Sequence, residues 1–597
     1  MYIGNWIFII LVLISFVGLY KIFQKTGRTA WKAFVPFLNF YEWIKLLERP
    51  WWWVFLMIVP GVNILMYAVL TVITAQYFGK RKGMDLTIAA FFSYLYLVFL
   101  GFSEKEKFVG IEDLKKRTGG FIKTWLDPLV FAIIAASVIR TFFLEAFTIP
   151  TSSLEKSLMV GDFLFVNKFA YGAKIPQTPL SFPFAHHTIP IINKKSYLEW
   201  IKLPYYRLPG YSTIKNGDIV VFNYPDGDSV ALNFQDRSYY QICRSAGVSS
   251  LYNSPKSQIL VDVVNEQPVY APVGPVVARP VDKREHYVKR CVGIAGDKLE
   301  IKDGQIFIND VIQKTPEKAQ HIYLVKSLGH DFAEKSWLDK MDIYIEGMGQ
   351  GYVTSIPGPK SILDSTNILN SSTNSDTLLF SLYLTAEKAA LIKSMPECVG
   401  ITKYIMPKGK YDYSIFPHDP KYPWNNDNFG PFVLPKAGTT VKIDTTTIPL
   451  YMKIMNTYDD GEHMVEIKGD KVFYDGSPIT SYTFKQDYYW MMGDNRHNSA
   501  DSRSWGVVPF DHVVGKPVFV WFSMKDPAKN PISGKGLLSS LFKNSKEGKF
   551  RWERFFCFVG DNGLSKSYFI HFLVIVAGWW GIAKYLKKRK AKKENAK

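Results

Sequence analysis

The first twenty residues of the chain carry no charged side chain, and this apolar run constrains the fold more than any other feature. Residues 1–20 are long enough to cross a bilayer core of about 30 Å as a helix. No basic segment precedes the run and no small-residue cleavage site follows it, so we do not expect a cleaved secretory signal. Because Lys21, Lys25, Arg28 and Lys32 follow, the positive-inside rule predicts a span with its N-terminus outside the cytoplasm.

Further apolar runs predict additional membrane spans in the N-terminal part of the chain. Residues 51–79 carry no charge and contain Pro60-Gly61, which predicts either one long kinked span or a tight re-entrant pair. Residues 87–102 predict another crossing. The predicted order is a multi-span region (1–103), a basic cytoplasmic loop (104–126) and a transmembrane anchor that crosses outward (127–147).

The C-terminal end also combines an apolar run with basic flanks. We expect a basic, aromatic linker (525–566), a transmembrane segment (567–585) and a cytoplasmic Lys-rich tail (586–597). The formal net charge of +19 would fit a nucleic-acid partner. Much of the Lys and Arg flanks apolar runs instead, so we predict membrane lipid as a partner and no nucleic acid.

The region between the two sets of apolar runs, residues 148–524, has the alternation that is typical of strands. Examples are Ile219–Tyr224 and residues 299–309, and turn signals such as Asp303-Gly304 separate such runs. Residues 309–458 are predicted to be an insertion with a helix-like stretch at 385–394. The fold class expected from these patterns is a mostly β extracytoplasmic domain with an α/β insertion, attached to α-helical transmembrane segments.

Cysteine and histidine patterns do not predict a metal centre. The four cysteines are too few for a disulfide scaffold and match no zinc spacing. Whether Cys243 and Cys398 pair is left open by the sequence. His186-His187 is an adjacent pair in an apolar loop, for which packing is a better interpretation than metal binding.

A hydroxyl-rich segment, 149–162, follows the predicted anchor directly. A serine needs a base to become a nucleophile, and no histidine lies in a convincing triad context. A neutral lysine is the recognised alternative, and burial among apolar groups favours its neutral form. Lys289, in the strand-like run Tyr287-Val288-Lys289, fits this role. From the local pattern alone, however, an edge lysine that points to solvent is the better interpretation.

A rival interpretation uses the same segment. Ser153-Leu154-Glu155-Lys156 has the Ser-x-x-Lys form of penicillin-recognising acyltransferases. Those enzymes also need Ser-Asp-Asn, which does not occur here, and Lys-Thr-Gly. The only Lys-Thr-Gly, Lys25-Thr26-Gly27, lies beside the first span on the predicted cytoplasmic side.

Four sequence boxes, in a fixed order behind a membrane span, resemble type I signal peptidase, also called leader peptidase. The resemblance covers roughly residues 131–523, apart from the insertion. The family's usual Met, Pro and Thr in the first box are replaced by Leu154, Lys156 and Ser157, and Ala295 replaces a Pro in the third. The boxes are Pro150-Thr151-Ser152-Ser153-Leu154-Glu155-Lys156-Ser157-Leu158 with Gly161-Asp162; Gly217-Asp218-Ile219-Val220-Val221-Phe222 with Tyr224-Pro225; Tyr287-Val288-Lys289-Arg290 with Gly293 and Gly296-Asp297; and Gly493-Asp494-Asn495-Arg496, Asn498-Ser499, Asp501-Ser502-Arg503 and Trp505-Gly506.

The resemblance implies a coiled β-sheet or barrel fold and a Ser/Lys dyad that performs acyl transfer without metal or cofactor. Ser153 would be the nucleophile and Lys289 the general base. The Ser153 N–H and the Thr151 hydroxyl would hold the oxyanion. The implied supporting residues are Ser499, which would orient Lys289, and the ion pair Asp501 and Arg503. The implied substrate pocket is formed by Phe147, Ile149, Leu154, Leu158, Tyr287 and Val288.

The same resemblance implies a substrate and a location. The substrates would be exported preproteins with small residues at the −1 and −3 positions of the signal peptide, and the secretion translocon is a further candidate partner. The location would be the bacterial inner membrane, with several spans and the catalytic domain on the extracytoplasmic side.

Two further classes of function are weighed against this interpretation. A catalytically silent membrane adaptor would be expected to lack Ser153 or Lys289, and both are present. A transporter would need ionisable groups within its spans, and the N-terminal runs carry too few, so anchoring or partner binding is the better interpretation of these spans.

Overall fold

The computed structural model describes most of the chain. It describes residues 3–594 apart from 60–61, 81, 110–126, 190–193, 236, 249, 252–256, 265–266, 329–330, 333, 342, 344–376, 460, 462, 526–549 and 561–562. The predicted cytoplasmic loop, 104–126, therefore lies mostly outside the described residues.

The chain divides into two compact units. One, here the helical unit, comprises Met1–Glu145, Gly172–Gly210 and Ala278–Arg284. The other, here the sheet unit, comprises Ala146–Tyr171, Tyr211–Val277 and Glu285–Lys597.

The helices of the described residues lie at both ends of the chain and between the strands. They are α1 (Ile3–Lys25), α2 (Leu38–Leu46), α3 (Trp53–Ile58), α4 (Val62–Tyr77), α5 (Gly83–Phe91), α6 (Ser93–Phe102), α7 (Asp127–Phe142), α8 (Tyr239–Ala246), α9 (Lys335–Lys340), α10 (Ala386–Lys393), α11 (Ile448–Lys453), α12 (Ser502–Trp505) and α13 (Phe569–Glu594).

Within the described residues, α1 is the helix long and apolar enough to cross a membrane by itself. Helices α5 and α6 reach that length only together, and they are bent by 116° at their junction. The predicted crossing at 87–102 is thus a broken pair, and the run 51–79 is divided into α3 and α4, with Pro60-Gly61 between them outside the described residues. Proline cannot continue a helix's hydrogen bonding, which accounts for a break at that point.

Two glycines bring α1 and α6 into close contact. A Cβ at Gly18 would lie 2.7 Å from the backbone of Leu97, and one at Gly101 would lie 2.7 Å from the Gly18 carbonyl oxygen. Small residues allow helix backbones to approach in this way. The two helices are joined to the rest of the helical unit by one apolar core that includes Leu19, Trp43 and Leu70.

Helix α7 ends earlier than the predicted anchor. It covers Asp127–Phe142, and Leu144–Thr148 is already a strand. The difference arises because the apolar run continues past the helix with aromatic and β-branched residues, which fit an extended chain that pairs in a sheet. At the C-terminal end, α13 continues through most of the predicted tail, to Glu594.

The strands lie mainly in the sheet unit. They are β1 (Leu144–Thr148), β2 (Asp162–Asn167), β3 (Thr188–Ile189), β4 (Lys194–Lys195), β5 (Ile219–Asn223), β6 (Ser229–Ala231), β7 (Gln258–Val264), β8 (Gln267–Pro272), β9 (Val276–Ala278), β10 (His286–Gly293), β11 (Lys298–Lys302), β12 (Gln305–Ile308), β13 (Val311–Ile312), β14 (Gln320–Leu328), β15 (Thr377–Thr385), β16 (Cys398–Lys403), β17 (Phe429–Val433), β18 (Thr440–Lys442), β19 (Val465–Lys468), β20 (Lys471–Tyr474), β21 (Ser477–Ile479), β22 (Ser481–Thr483), β23 (Tyr488–Met492), β24 (Val508–Pro509), β25 (Val513–Ser523), β26 (Cys557–Gly560) and β27 (Gly563–Leu564).

The largest sheet has the order β1-β2-β25-β5-β10-β23-β24, with β26 on β25 and β27 on β26. Strand β10 is interior, antiparallel to β5 on one side and to β23 on the other. Irregular register occurs between Cys291 and Gly293, between Val513 and Gly515, and twice along β2. Such bulges increase strand twist, so the sheet curls, and the mostly β fold class is confirmed.

A second core lies behind β23. Trp490 is fully buried there, with its ring centroid 4.8 Å from that of Phe429. Strand β17, which carries Phe429, pairs with β11. Part of the predicted insertion, 309–458, therefore shares a core with the strands around it. Another part forms a separate sheet of order β15-β14-β16 with α10 beside it, which confirms the helix-like stretch at 385–394.

All four cysteines are free thiols, so Cys243 and Cys398 do not pair. His186 donates a hydrogen bond from Nε2 to the Arg284 carbonyl oxygen, 2.8 Å away. In the described residues no group of three metal-ligating side chains is present.

We expect Phe429→Ala to lower the free energy of unfolding by about 3–5 kcal/mol, because truncating a buried aromatic ring leaves a cavity. Denaturant unfolding in detergent, followed by tryptophan fluorescence, would measure the change. Tyr413→Ala is the control: its ring is 63% exposed, and we expect a change within about 0.5 kcal/mol. Equal losses for the two variants would contradict the described core.

Candidate active site

The segment that carries Ser153 is a closed loop between β1 and β2. The Ile149 N–H donates to the Asp162 carbonyl, and the Gly161 N–H donates to the Ile149 carbonyl, both at 2.9 Å. Between these closing bonds, Ser152–Leu154 form one 3-10 turn. Ser153 is 6% exposed, whereas Thr151 just before the turn is exposed. The loop thus presents a nearly buried serine at a fixed turn.

Lys289 lies on an interior strand. In the register of β10 it is opposite Val220 of β5, and its side chain is 2% exposed. Its ammonium nitrogen lies 5.7 Å from the ring centroid of Tyr287. The alternative of an edge lysine in solvent is therefore wrong. Residues of β10 lie within 8 Å (Cα–Cα) of the turn that carries Ser153.

The 493–503 segment follows β23 and contacts the Ser153 turn directly. The Asn495 N–H donates to the Ser153 carbonyl at 3.1 Å, and the Asn498 side-chain amide donates to the Ser152 hydroxyl at 3.0 Å. A Cβ at Gly493 would lie 2.2 Å from the Ser499 hydroxyl oxygen and 2.6 Å from the Ser153 carbonyl oxygen. Only a glycine fits there. Because it has no side chain, the Ser499 hydroxyl and the Ser153 carbonyl can both lie against Gly493.

Asp501 and Arg503 form a buried pair. They are 0% and 2% exposed, and Arg503 donates to both carboxylate oxygens of Asp501, at 2.9 and 2.7 Å. The Gly493 N–H donates to the same carboxylate at 3.0 Å. Burial raises the pKa of Asp501, but Arg503, the Gly493 N–H and nearby Lys289 together hold it below its ordinary value. A negative charge is thereby fixed near Lys289.

The Ser499 hydroxyl is half-buried and donates to the Ala500 carbonyl at 3.5 Å. Its predicted contact with Lys289 is therefore not among the hydrogen bonds that the structure describes for this hydroxyl. Ser499 nevertheless lies beside Gly493, and the Gly493 N–H donates a hydrogen bond to the Asp501 carboxylate near Lys289.

A second buried charge pair was not predicted. Arg290, next to Lys289, donates to both carboxylate oxygens of Asp494 at 2.8 and 2.7 Å, and the Ser157 hydroxyl donates to Asp494 at 2.6 Å. Burial raises the pKa of Asp494, but Arg290 outweighs this and lowers it. The positions of Arg290, Asp494 and Ser157 inside three of the four boxes were the signal that could have identified them.

The predicted insertion is also bonded to the 493–503 segment. The Arg496 N–H donates to the Gln320 carbonyl at 2.8 Å, and the Gln320 N–H donates to the Asp494 carbonyl at 2.9 Å. His497 lies 3.1 Å from the carboxylate of Asp427. Strand β14 and the residues before β17 thus support the same segment that holds Ser153.

Lys156 has a backbone conformation that differs from what its family position implies. Its φ is +71°, in the left-handed region, whereas proline, the usual residue of the family there, fixes φ near −65°. Its ammonium lies 3.8 Å from the Glu155 carboxylate. The rival Ser-x-x-Lys interpretation requires Ser153 and Lys156 to lie on one helical turn. The left-handed backbone conformation at Lys156 does not fit that arrangement.

Five of the six predicted pocket residues lie in one apolar cluster, together with residues of β2 and β25. Tyr287 lies in a neighbouring cluster, stacked on Tyr224 with ring centroids 4.4 Å apart and edge-on to Trp505 at 5.4 Å. The five that share a cluster are Phe147, Ile149, Leu154, Leu158 and Val288.

Curated relatives of this chain carry one description. Signal peptidase I of Helicobacter pylori is 24% identical over 75% of this chain and 94% of its own length. Signal peptidase I of Haemophilus influenzae is 23% identical over 72% of this chain and 74% of its own length. Signal peptidase I of Aquifex aeolicus is 44% identical over a shorter stretch, 8% of this chain and 20% of its own length.

Family models match two regions of the chain. A family of unknown function matches residues 31–111. The family described as "Signal peptidase, peptidase S26" matches residues 122–342 and 437–522, together just over half of the chain, and these include all four boxes. The resemblance expected from the boxes is confirmed, and the chain belongs to the signal peptidase family, peptidase S26.

Proposed function

We propose that this protein is a membrane-anchored endopeptidase that removes N-terminal signal peptides from exported preproteins by a Ser153/Lys289 dyad. Membership of peptidase S26 makes it a serine hydrolase. The observation that carries the assignment of the dyad is the burial of Lys289, 2% exposed, on the interior strand that passes the Ser153 turn.

The proposed reaction is acyl transfer in two steps. Neutral Lys289 takes the hydroxyl proton of Ser153, and the serine oxygen attacks the carbonyl carbon at the end of the signal peptide. The tetrahedral intermediate collapses to an acyl-enzyme as Lys289 returns the proton to the leaving amine. Lys289 then deprotonates a water, whose oxygen attacks the ester carbon, and the proton returns from Lys289 to the Ser153 oxygen as the carboxylic acid product leaves. No metal or cofactor takes part in this scheme.

The oxyanion of each intermediate would be held by two donors. Ser153 lies within the turn and is nearly buried, whereas Thr151 lies just before the turn and is exposed. Preorganised donors at a developing negative charge contribute on the order of 3 kcal/mol each. We propose that the Thr151 hydroxyl and the Ser153 N–H, two residues apart, act together on one carbonyl oxygen.

Asp501, Arg503 and Ser499 are proposed to position the base. The Asp501 carboxylate is fixed by Arg503 on one side and by the Gly493 N–H on the other. Its attraction for Lys289 would orient the amine without accepting the proton of the reaction. Ser499, beside Gly493, is proposed to hydrogen-bond Lys289 when substrate is bound.

The apolar cluster around Ile149, Leu154 and Val288 supports the proposed selection of small side chains at the −1 and −3 positions. These residues pack with Phe147 and Leu158 in the same cluster, and the family resemblance implies that shallow apolar pockets are formed there. The proposed substrates are preproteins, with the secretion translocon and membrane lipid as further partners.

The penicillin-recognising alternative is less well supported. The Lys156 nitrogen lies 3.8 Å from the Glu155 carboxylate, so this amine has a partner other than Ser153. The φ of +71° at Lys156 also takes it out of the helical turn that the Ser-x-x-Lys arrangement needs.

The apolar helix α1 is consistent with membrane anchoring. We propose in addition that the protein crosses the bacterial inner membrane several times and that 148–524 lie on the extracytoplasmic side. The basic flanks of the apolar runs support this orientation.

We expect Ser153→Ala, Lys289→Ala and Lys289→Arg each to abolish cleavage of a preprotein, because arginine stays protonated in proteins and cannot act as the base. Activity of the wild type should fall as the pH is lowered and the Lys289 amine becomes charged. Preprotein cleavage in detergent, followed over a range of pH, would measure both effects.

The matched control is Lys156→Gly, which removes an amine from the same loop and suits a φ of +71°, whereas Lys156→Pro does not. We expect Lys156→Gly to keep cleavage within about tenfold of wild type, since a loop substitution away from the reacting atoms costs on the order of 1 kcal/mol. An inactive Lys156→Gly together with an active Lys289→Ala would reverse the assignment of the base.

We expect Thr151→Val to lower kcat by about ten- to a thousandfold with little change in KM, because one oxyanion donor is lost. Thr151→Ser keeps the hydroxyl and should be nearly silent. Steady-state kinetics on a peptide with small residues at −1 and −3 would separate kcat from KM. Full activity of Thr151→Val would exclude an oxyanion role for this hydroxyl.

The orientation can be tested by cysteine labelling of intact cells in a Cys398→Ser background, since Cys398 is the half-buried thiol and the other three are buried. We expect Tyr413→Cys, at a position 63% exposed, to react with an impermeant maleimide from outside, and Gly110→Cys to react only after lysis. Labelling of Gly110→Cys in intact cells would refute the topology.

A further inference from the structure

A segment beyond the family-matched region packs on the loop that carries Ser153. The family match ends at residue 522, whereas residues 550–560, here the C-terminal brace, lie against the end of β25. Strand β26 of the brace pairs with β25, with Phe558 opposite Phe519 and Cys557 opposite Val520. The brace is therefore a fixed part of the sheet unit.

Arg554 of the brace binds the closing residue of the Ser153 loop. Its guanidinium donates to both carboxylate oxygens of Asp162, at 3.0 and 2.5 Å, and to the Ser157 carbonyl at 3.2 Å. The Asp162 side chain is 0% exposed and that of Arg554 is 12% exposed. Burial lowers the pKa of Arg554, but Asp162 outweighs this and raises it. The Arg554 and Asp162 side chains are therefore joined by two hydrogen bonds and have little exposure to solvent.

Arg551 binds the same loop two residues earlier, at Val160. Its guanidinium donates to the Val160 carbonyl at 2.8 Å and to the Met524 carbonyl at 3.2 Å. The side chain is buried, at 7% exposed. Since Met524 N–H also donates to the Gly161 carbonyl at 3.0 Å, Arg551 joins the end of β25 to residues 160–161.

A short series of hydrogen bonds connects the contacts of Arg551 and Arg554 to the Ser153 turn. The Ser157 N–H and the Leu158 N–H both donate to the Leu154 carbonyl, at 3.0 and 2.8 Å, and Leu154 ends the turn. Ser157 is bound on one side by Asp494, through its hydroxyl, and on the other by Arg554, through its carbonyl. The segment after Ser153 is thus held between the 493–503 segment and the brace.

The loop needs such support because its own sequence departs from the usual pattern. Lys156 stands where a proline would stiffen the backbone, and it has a φ of +71°. A non-glycine residue in that region is strained. The buried Asp162 carboxylate also needs a cation, and Arg554 is paired with it. The brace thus adds fixed contacts to a loop whose backbone is strained.

We propose that Arg554, together with Arg551, is a positioning residue for the nucleophile: the two arginines fix residues 157–162 and thereby hold Ser153 in its reactive geometry. This inference rests on the proposed role of Ser153. It extends the active unit of the enzyme past the end of the family match, to the segment that leads into α13.

The aromatic residues of the brace tie it to α13. Phe556 stacks on Phe572 with ring centroids 4.4 Å apart, and Trp552 lies 5.6 Å from Phe569. The start of α13 therefore packs on the segment that carries Arg551 and Arg554. Through this segment the C-terminal apolar helix is connected to the Ser153 loop.

The test uses the full-length protein in detergent with Arg554→Ala, Arg554→Lys and, as the matched control, Lys516→Ala. Lys516 also pairs with a buried carboxylate of the sheet unit, that of Asp218, at 2.5 Å, and its described hydrogen bonds, ion pairs and strand pairing include none with residues 149–162. Reactive sites are counted by titration with a peptide boronic acid that has alanine at its end, which adds to the serine oxygen. kcat is then expressed per titrated site.

We expect Arg554→Ala to lower kcat per titrated site by about ten- to a hundredfold, because small misplacements of a reacting group have effects of that size. The position of the acid limb of the pH profile should stay unchanged, because Lys289 is untouched, and KM should change less than kcat. Arg554→Lys, which keeps the charge but not the two-point contact, should be intermediate, and Lys516→Ala should stay within about twofold.

If Arg554→Ala has fewer titrated sites but the same kcat per site as wild type, the inference is overturned. Arg554 would then be a purely structural residue. If Arg554→Ala does not fold, Arg554→Lys decides in the same way: a lowered kcat per site supports positioning, and an unchanged one overturns it. Failure of the proposed function itself is seen separately, as cleavage that persists in Ser153→Ala.

Discussion

Two buried carboxylate–guanidinium pairs support the arrangement of the candidate site. Asp494 with Arg290 and Asp501 with Arg503 lie almost without solvent contact. Removing charges from water costs several kcal/mol per ion, and only good geometry with further hydrogen bonds offsets this. Both carboxylates have such bonds, from Ser157 and from the Gly493 N–H. The pairs therefore fix three chain segments to one another, and loss of either partner would leave an uncompensated charge beside Lys289.

The sequence predicted the members of this site but not their burial. Asp501 and Arg503 are two residues apart, which by itself fits a surface pair of little energetic value, and only the family resemblance gave them a role. The segment that carries them also contacts a distant part of the chain, where the Phe416 N–H donates to the Arg503 carbonyl at 2.7 Å. Such long-range contacts leave no local pattern. The strands, in contrast, follow from side-chain alternation, and β5 and β10 are present where it predicts them.

In the predicted membrane segments, hydropathy identified the apolar runs but not the path of the chain within them. Hydropathy located the apolar runs, but it did not predict that the run at 87–102 bends by 116° within the pair α5 and α6, or that the anchor gives way to a strand at Leu144. Hydrophobicity specifies an environment, while sheet pairing and glycine contacts such as that of Gly18 with α6 decide the local path of the chain.

The hydrogen bond between Arg554 and Asp162 spans 392 residues of sequence, and this separation has a consequence for synthesis. A ribosome that adds about 5–20 residues per second needs roughly 20–80 s to pass from one partner to the other. During that interval the serine loop exists without its two arginines. Residues 550–560 emerge after all four family boxes, so a nascent chain can contain every box while the Ser153 loop still lacks its contacts with Arg551 and Arg554.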